Sequence, residues 1–341
     1  MNPTNNFFQK ILNAVIRPPR ASYDINAIPI YFQSNDEHTY VRYPINFVNR
    51  RKEKIVGSIY TDSSRNVNDG GPCVIFVHGN SSCQNEGRFL IPNLCKYNIS
   101  VFLYDCAGCG NSGGDYVSLG YYESKDLEFI IEQLKISFGM GPFILWGRSM
   151  GAATSLMANN DNIKGIIADS AFASLNLLFD DLSEKLQTNR LLCSLAIWYL
   201  KLKIKELVGY DSEAVTPIEY AKLQNKAPCI IGHSYDDELI PFHHGKLLFD
   251  AYSNTDKQFV TLENSHNSVR SGIWYDTCFK FIFRILGIQV NDFRRCIFRG
   301  VIPKMHFNSY QEIVDFCNKN GGEDKSLMLL TIESNLDCIY E

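Results

Sequence analysis

A chain of 341 residues, 45% apolar and 13% aromatic, is long enough to bury a sizeable core in one enzyme-sized body. Its 33 basic and 37 acidic residues are spread along the sequence and leave a net charge of −4, which excludes a strong field for recruiting nucleic acid or an acidic membrane. Eleven cysteines, with no second Cys-x-x-Cys opposite the one at Cys106 and Cys109, fit reduced thiols in a cytoplasmic setting rather than a disulfide framework or a zinc ribbon; no run of about 20 apolar residues predicts a membrane span.

Residues 7–16 place Phe7, Phe8, Ile11, Leu12 and Val15 on one helical stripe, a pattern that allows weak peripheral membrane contact and that more often packs on its own domain. Strands are expected near 28–33, 38–48 and 54–60. Continuous apolar runs at 73–77, 100–104, 143–146, 165–168 and 228–232 then read as strands buried on both faces. Helical patterns near 86–97, 121–137, 149–159 and 244–253 fall between them, so the β, α, β, α order predicts a mostly parallel, doubly wound sheet with an antiparallel N-terminal edge. Residues 172–225 interrupt this rhythm with helices and read as a cap; its Leu191, Leu192, Leu195, Ile197, Trp198 and Leu200 either line an apolar pocket or fasten the cap to the body. A closing helix is expected over 267–286. A C-terminal extension follows from 290 to 341, with Arg294, Arg295, Arg299 and a short helical pattern near 309–318.

The strongest chemical signal is Gly147-Arg148-Ser149-Met150-Gly151, a G-x-S-x-G pattern between the strand run FILW and a helix-compatible run. A strand that turns sharply into a helix exposes the central serine, and glycines two positions away on either side remove clashing Cβ atoms. The amide of Met150 at the helix start is then one candidate oxyanion donor, and the amide of Asn80, in the loop His78-Gly79-Asn80 after the strand at 73–77, is the other. His78 is expected to brace that loop.

Acid and base should follow in the order Ser, Asp or Glu, His. Asp237 lies in the acidic loop His233-Ser234-Tyr235-Asp236-Asp237-Glu238 after the strand at 228–232, and His266 lies in a polar loop before the closing helix. Asp236 and Glu238 read as neighbours able to substitute. Asp169, at another strand end, is expected to brace the cap junction, and His243 and His244 read as surface or helix-end residues.

The segments FVHGNSS, YDCAGCGNSGG, WGRSMGA, DSAFASL, HSYDDELIP and SHNS resemble the serine aminopeptidase-like (S33-type) branch of the α/β-hydrolase superfamily, which includes the α/β-hydrolase domain-containing proteins, over roughly residues 7–286. The resemblance implies an α/β-hydrolase domain over 1–289 with the cap at 172–225, a serine hydrolase mechanism on Ser149, Asp237 and His266, and no metal or organic cofactor. It departs from the depalmitoylases of that branch, which carry an N-terminal cysteine cluster, because the first cysteine here is Cys73. An ester or thioester of a small-molecule or acylated substrate is the expected target; a peptide bond and a non-catalytic interaction protein are the alternatives.

Overall fold

The computed structural model describes residues 3–34, 38–185, 190–223, 227–291 and 293–296. Nine strands form one sheet in the order β1-β2-β3-β5-β4-β6-β7-β8-β9, with β1 Tyr31–Gln33, β2 Thr39–Val48, β3 Lys54–Asp62, β4 Gly71–Val77, β5 Ser100–Tyr104, β6 Met140–Arg148, β7 Ile163–Asp169, β8 Cys229–Ser234 and β9 Lys257–Leu262. β1, β2 and β3 pair antiparallel, β3 joins β5 antiparallel, and β5, β4, β6, β7, β8 and β9 run parallel.

The apolar runs are continuous because successive side chains enter two different cores. Cys73, Ile75 and Val77 of β4, Phe143 and Leu145 of β6, and Ile166 and Ala168 of β7 face one cluster; Val74, Phe76, Ile144, Trp146 and Ile167 face the other. The first cluster is covered by α1 (Pro3–Ile16), α3 (Tyr121–Phe138), α4 (Met150–Met157) and α8 (Phe242–Ala251), the second by α2 (Leu90–Leu94) and α9 (Gly272–Leu286). Between β7 and β8 lie α5 (Leu175–Lys185), α6 (Arg190–Leu207) and α7 (Pro217–Leu223).

Three expectations change. The helical pattern at 86–97 is divided into a turn over 84–87, the five-residue α2 and a turn over 95–97. Pro92 is the physical reason, because it lacks an N–H and belongs in the first turn of a helix, so α2 starts just before it rather than continuing from residue 86. The closing helix begins at Gly272, after a cap in which Ser271 Oγ accepts the Trp274 N–H, since the residues before it are held in a loop whose Ser268 carbonyl accepts from Arg148 and Arg270. In the stripe of α1, Leu12 and Ile16 are buried against the body and Val15 packs on the same core, while the side chains of Phe7 and Phe8 lie outside the described residues. Leu195 and Trp198 of α6 are 59% and 60% exposed; Leu200 is buried, and the Leu191 and Leu192 side chains lie outside the described residues.

Residues 293–296 dock on the body. Phe293 packs among Tyr97, Phe279 and Phe283, and the Cys296 backbone exchanges two hydrogen bonds with the Asn93 amide. Arg299 and the pattern at 309–318 lie outside the described residues.

Candidate active site

The chain passes from β4 to β5 on one side and then to β6 on the other, so the crevice beyond the carboxyl ends of β4 and β6 is the switch point where such sheets place a site. Two sequence segments meet there. Val77 pairs with Gly147, which brings the loop after β4 beside the turn from β6 into α4, and Ser149 sits at that turn with φ 53° and ψ −117°. A side chain at positive φ is strained and is retained only where its surroundings over-determine it. Here the Ser149 N–H donates to the Asp169 carbonyl at 2.8 Å, and the Ala152 and Ala153 amides donate back to the Ser149 carbonyl. The flanking glycines are required by close approach: a Cβ on Gly147 would overlap the Gly151 carbonyl, and one on Gly151 would overlap the Val77 carbonyl. Ser149 is therefore held half-buried at the mouth of the crevice.

His266 Nε2 lies 3.0 Å from Ser149 Oγ, and His266 Nδ1 lies 2.7 Å from Asp237 Oδ2. The tautomer follows from the partners. Asp237 Oδ1 accepts the backbone N–H groups of Leu239 at 3.0 Å and Ile240 at 2.7 Å, so the carboxylate is a pure acceptor, His266 donates from Nδ1, and its Nε2 lone pair faces the serine hydroxyl. Burial raises the Asp237 pKa, but the hydrogen bond and charge of His266 and the Ile240 amide outweigh it and leave the carboxyl below its ordinary value. His233, buried beneath the loop, donates from Nε2 to the Ile240 carbonyl at 2.8 Å and fixes its path. Asp236 and Glu238 are exposed, and Glu238 accepts the His266 backbone N–H at 3.3 Å. The structure thus brings together Ser149, Asp237 and His266 and leaves the neighbouring acids at the rim.

Met150 opens α4, and a first-turn amide has no intrahelical partner. In the facing loop the Gly79 N–H is taken by Glu86 Oε2 at 3.1 Å, which leaves the next amide, that of Asn80, as the one to consider beside Met150. The Asn80 side chain is turned away, its Oδ1 accepting the Ser81 N–H. His78 braces this loop from inside: it is fully buried, its Nδ1 donates to the Gly79 carbonyl at 2.7 Å, and its Nε2 accepts the Cys106 N–H at 2.9 Å.

Two arginines that sequence reasoning missed hold the histidine loop. Arg148, inside the G-x-S-x-G pattern, contacts Glu86 at 3.2 Å and donates to the carbonyls of His266 and Ser268, each at 3.1 Å. Glu86 therefore links the amide of Gly79 to the guanidinium that grips the loop of His266. Arg270 donates to Asp169 through Nε at 3.0 Å and Nη2 at 2.9 Å, and also to the carbonyls of His266 and Ser265. Asp169 does not brace the inserted helices as expected: its carboxylate turns toward α9, because the fully buried Arg270 needs a counter-charge there. The four ionic groups, with Trp146, Trp274 and Tyr275, line a cavity of about 50 Å³ behind the site.

The inserted helices are tied to the acid loop by other residues. Lys185 donates to the Glu238 carbonyl at 2.6 Å, and Asp181 of α5 contacts His244 at 2.7 Å and His243 at 3.0 Å. His244 is a helix-end residue but not a surface one, since it is completely buried, and burial lowers its pKa to about 4. The ligand atoms of Asp181, His243 and His244 lie within 4.8 Å of one another, yet the trio does not fit a metal. His244 Nδ1 accepts the Ala173 N–H at 2.9 Å, so the neutral ring carries its proton on Nε2, the atom an ion would need.

Residues 71–207 match the family described as serine aminopeptidase, S33. Among solved structures, the Pyrococcus furiosus esterase Pf2001 aligns with a TM-score of 0.57 at 18% identity, covering 80% of this chain and 98% of that one. The chain has the α/β-hydrolase fold. The chain is 24% identical over 59% of its length to protein R595 of Acanthamoeba polyphaga mimivirus, of which it covers 68%. It is 29% identical to YqkD of Bacillus subtilis over 49% of its length and 25% identical to the lysophosphatidylserine lipase ABHD12 of Danio rerio over 52%. It spans 55% and 47% of those two relatives, about half of each.

Proposed function

We propose that this chain is a serine hydrolase that cleaves a carboxylic ester or thioester through an acyl-enzyme. The observation that carries the reading is the unbroken chain Asp237–His266–Ser149, 2.7 Å and 3.0 Å, on a serine held at positive φ. His266 Nε2 takes the Ser149 proton as Oγ attacks the carbonyl carbon, while Asp237 steadies the imidazolium and the amides of Asn80 and Met150 receive the oxyanion. Collapse breaks the C–O or C–S bond as His266 returns the proton to the leaving alcohol or thiol. Water then attacks the acyl-serine, gives its proton to His266, and Ser149 recovers it. We place the helices of 172–225 as a cap over this site and 290–341 as an extension. A cytoplasmic setting belongs to the same reading, supported by nine buried cysteines among the described residues that form no disulfide with one another.

The S33 match favours a second reading, an aminopeptidase-like hydrolase. Such an enzyme needs a carboxylate pair to hold the substrate amine; in the inserted helices Asp181 is committed to His243 and His244 and Glu206 to Lys203, while Asp180 and Glu184 are exposed, and this scattered set supports the ester. Purified protein offered p-nitrophenyl esters and thioesters of increasing chain length beside aminoacyl amides is expected to turn over the acyl substrates at least tenfold faster. Preference for the amides would replace the ester reading by the peptidase one, and activity on neither class would favour a non-catalytic interaction protein.

A further inference from the structure

Helix α6 is apolar on two faces. Cys193, Leu200 and Ile204 are buried against the body, whereas Leu195, Trp198 and Leu202, at i, i+3 and i+7, form a second stripe exposed by 59%, 60% and 46%. A surface helix normally presents charge on its outer face, so an apolar outer stripe marks a surface that meets something other than water.

Three features of the molecule choose the occupant. The sequence of α6 carries four basic residues, Arg190, Lys201, Lys203 and Lys205, against one acid, Glu206, in a chain whose net charge is −4. Lys203 neutralises Glu206 at 2.6 Å, and Lys205 lies 3.4 Å from Asp211 in an exposed pair, so the helix stays cationic beside its apolar stripe. A tryptophan between leucines with lysines alongside is the pattern of a helix lying in the plane of a lipid–water interface. Second, no helix among the described residues is long and apolar enough to cross a membrane, so contact would be lateral. Third, α1, an amphipathic helix, has turned Leu12 and Ile16 inward and packs on α6, while the Leu195–Trp198–Leu202 stripe of α6 stays exposed.

We propose that the Leu195–Trp198–Leu202 face of α6 docks on an anionic lipid surface, the apolar side chains entering the headgroup boundary and Lys201 meeting the lipid charge. α6 belongs to the segment that leaves β7 at the carboxyl edge, and α1, which packs on α6, ends beside the loop after β4, where the Asn80 side-chain amide donates to the Val15 carbonyl at 3.5 Å, so docking sets the crevice of Ser149 on the lipid side. The docking does not depend on Ser149 chemistry.

The 341-residue protein is mixed with vesicles of phosphatidylcholine alone or with added phosphatidylserine, and sedimentation and tryptophan emission are followed. Trp146 and Trp274 are 1% exposed, so a blue shift reports on Trp198. The expected result is co-sedimentation with the phosphatidylserine vesicles, weakened by salt, with a blue shift absent from Trp198→Phe. Binding is expected to fall about tenfold or more in Leu195→Ser/Leu202→Ser, a variant with exposed substitutions that keeps wild-type turnover of short soluble esters. Equal sedimentation of wild type and variant, or no sedimentation of wild type with either vesicle, overturns the proposal. So does self-association of the wild type in light scattering without lipid that the variant lacks, which would make the occupant a second copy of the chain.

Discussion

Replacing Asp237 with asparagine is expected to lower kcat by roughly three to four orders of magnitude with the fold and KM retained. The reason lies in how the carboxylate is held. Its Oδ1 accepts two backbone N–H groups, from Leu239 and Ile240, so an asparagine must place its carbonyl there and turn its NH2 toward His266. Nδ1 then has to accept, the ring proton moves to Nε2, and the atom 3.0 Å from Ser149 Oγ is a donor that cannot take the serine proton. Steady-state kinetics on the best ester, with circular dichroism to verify folding, measure the effect. A rate within tenfold of wild type would remove Asp237 from the proposed triad.

Asp169→Ala is expected to destabilise the protein by about 3–5 kcal/mol, because it strands the Arg270 guanidinium in the interior. Both partners are almost fully buried, and Asp169 raises the Arg270 pKa against the opposing pull of burial. Removing the charge from both sides, as in Asp169→Leu/Arg270→Met, should recover most of that stability, since two apolar groups leave no unpaired ion. It should not recover activity, because the carbonyls of Ser265 and His266 lose their donor and the loop that aims the imidazole is released. Urea midpoints and ester turnover on the same three proteins separate the two effects. Equal stability of Asp169→Ala and wild type would show the pair to be more hydrated than its burial implies.

The parts of this molecule that a sequence reveals are those governed by local rules. Runs such as CVIFV and FILW read as strands because both faces of β4 and β6 are buried, and the order of Ser149, Asp237 and His266 is legible because each follows a strand at the same sheet edge. Arg148 and Arg270 were not legible. Each is an ordinary arginine until the fold buries it beneath carbonyls more than a hundred residues away or beside Asp169, and nothing in its neighbours announces that. The helical pattern at 86–97 misled for the opposite reason: its apolar spacing is genuine, since Leu90, Ile91 and Leu94 are buried, but Pro92 limits how far one helix carries it. His244 illustrates a third case. It looks like a surface helix end because the loop before it is polar, and the docking of α5 through Asp181 closes it off.

The most direct test of the central claim, that Ser149 is an activated nucleophile, is intact-mass analysis after exposure to a fluorophosphonate, run on wild type and Ser149→Ala. The account predicts a single adduct on the wild type, located on the Ser149 peptide, and none on the variant. Well-folded wild-type protein that takes up no label, or a variant that is labelled equally, would contradict it.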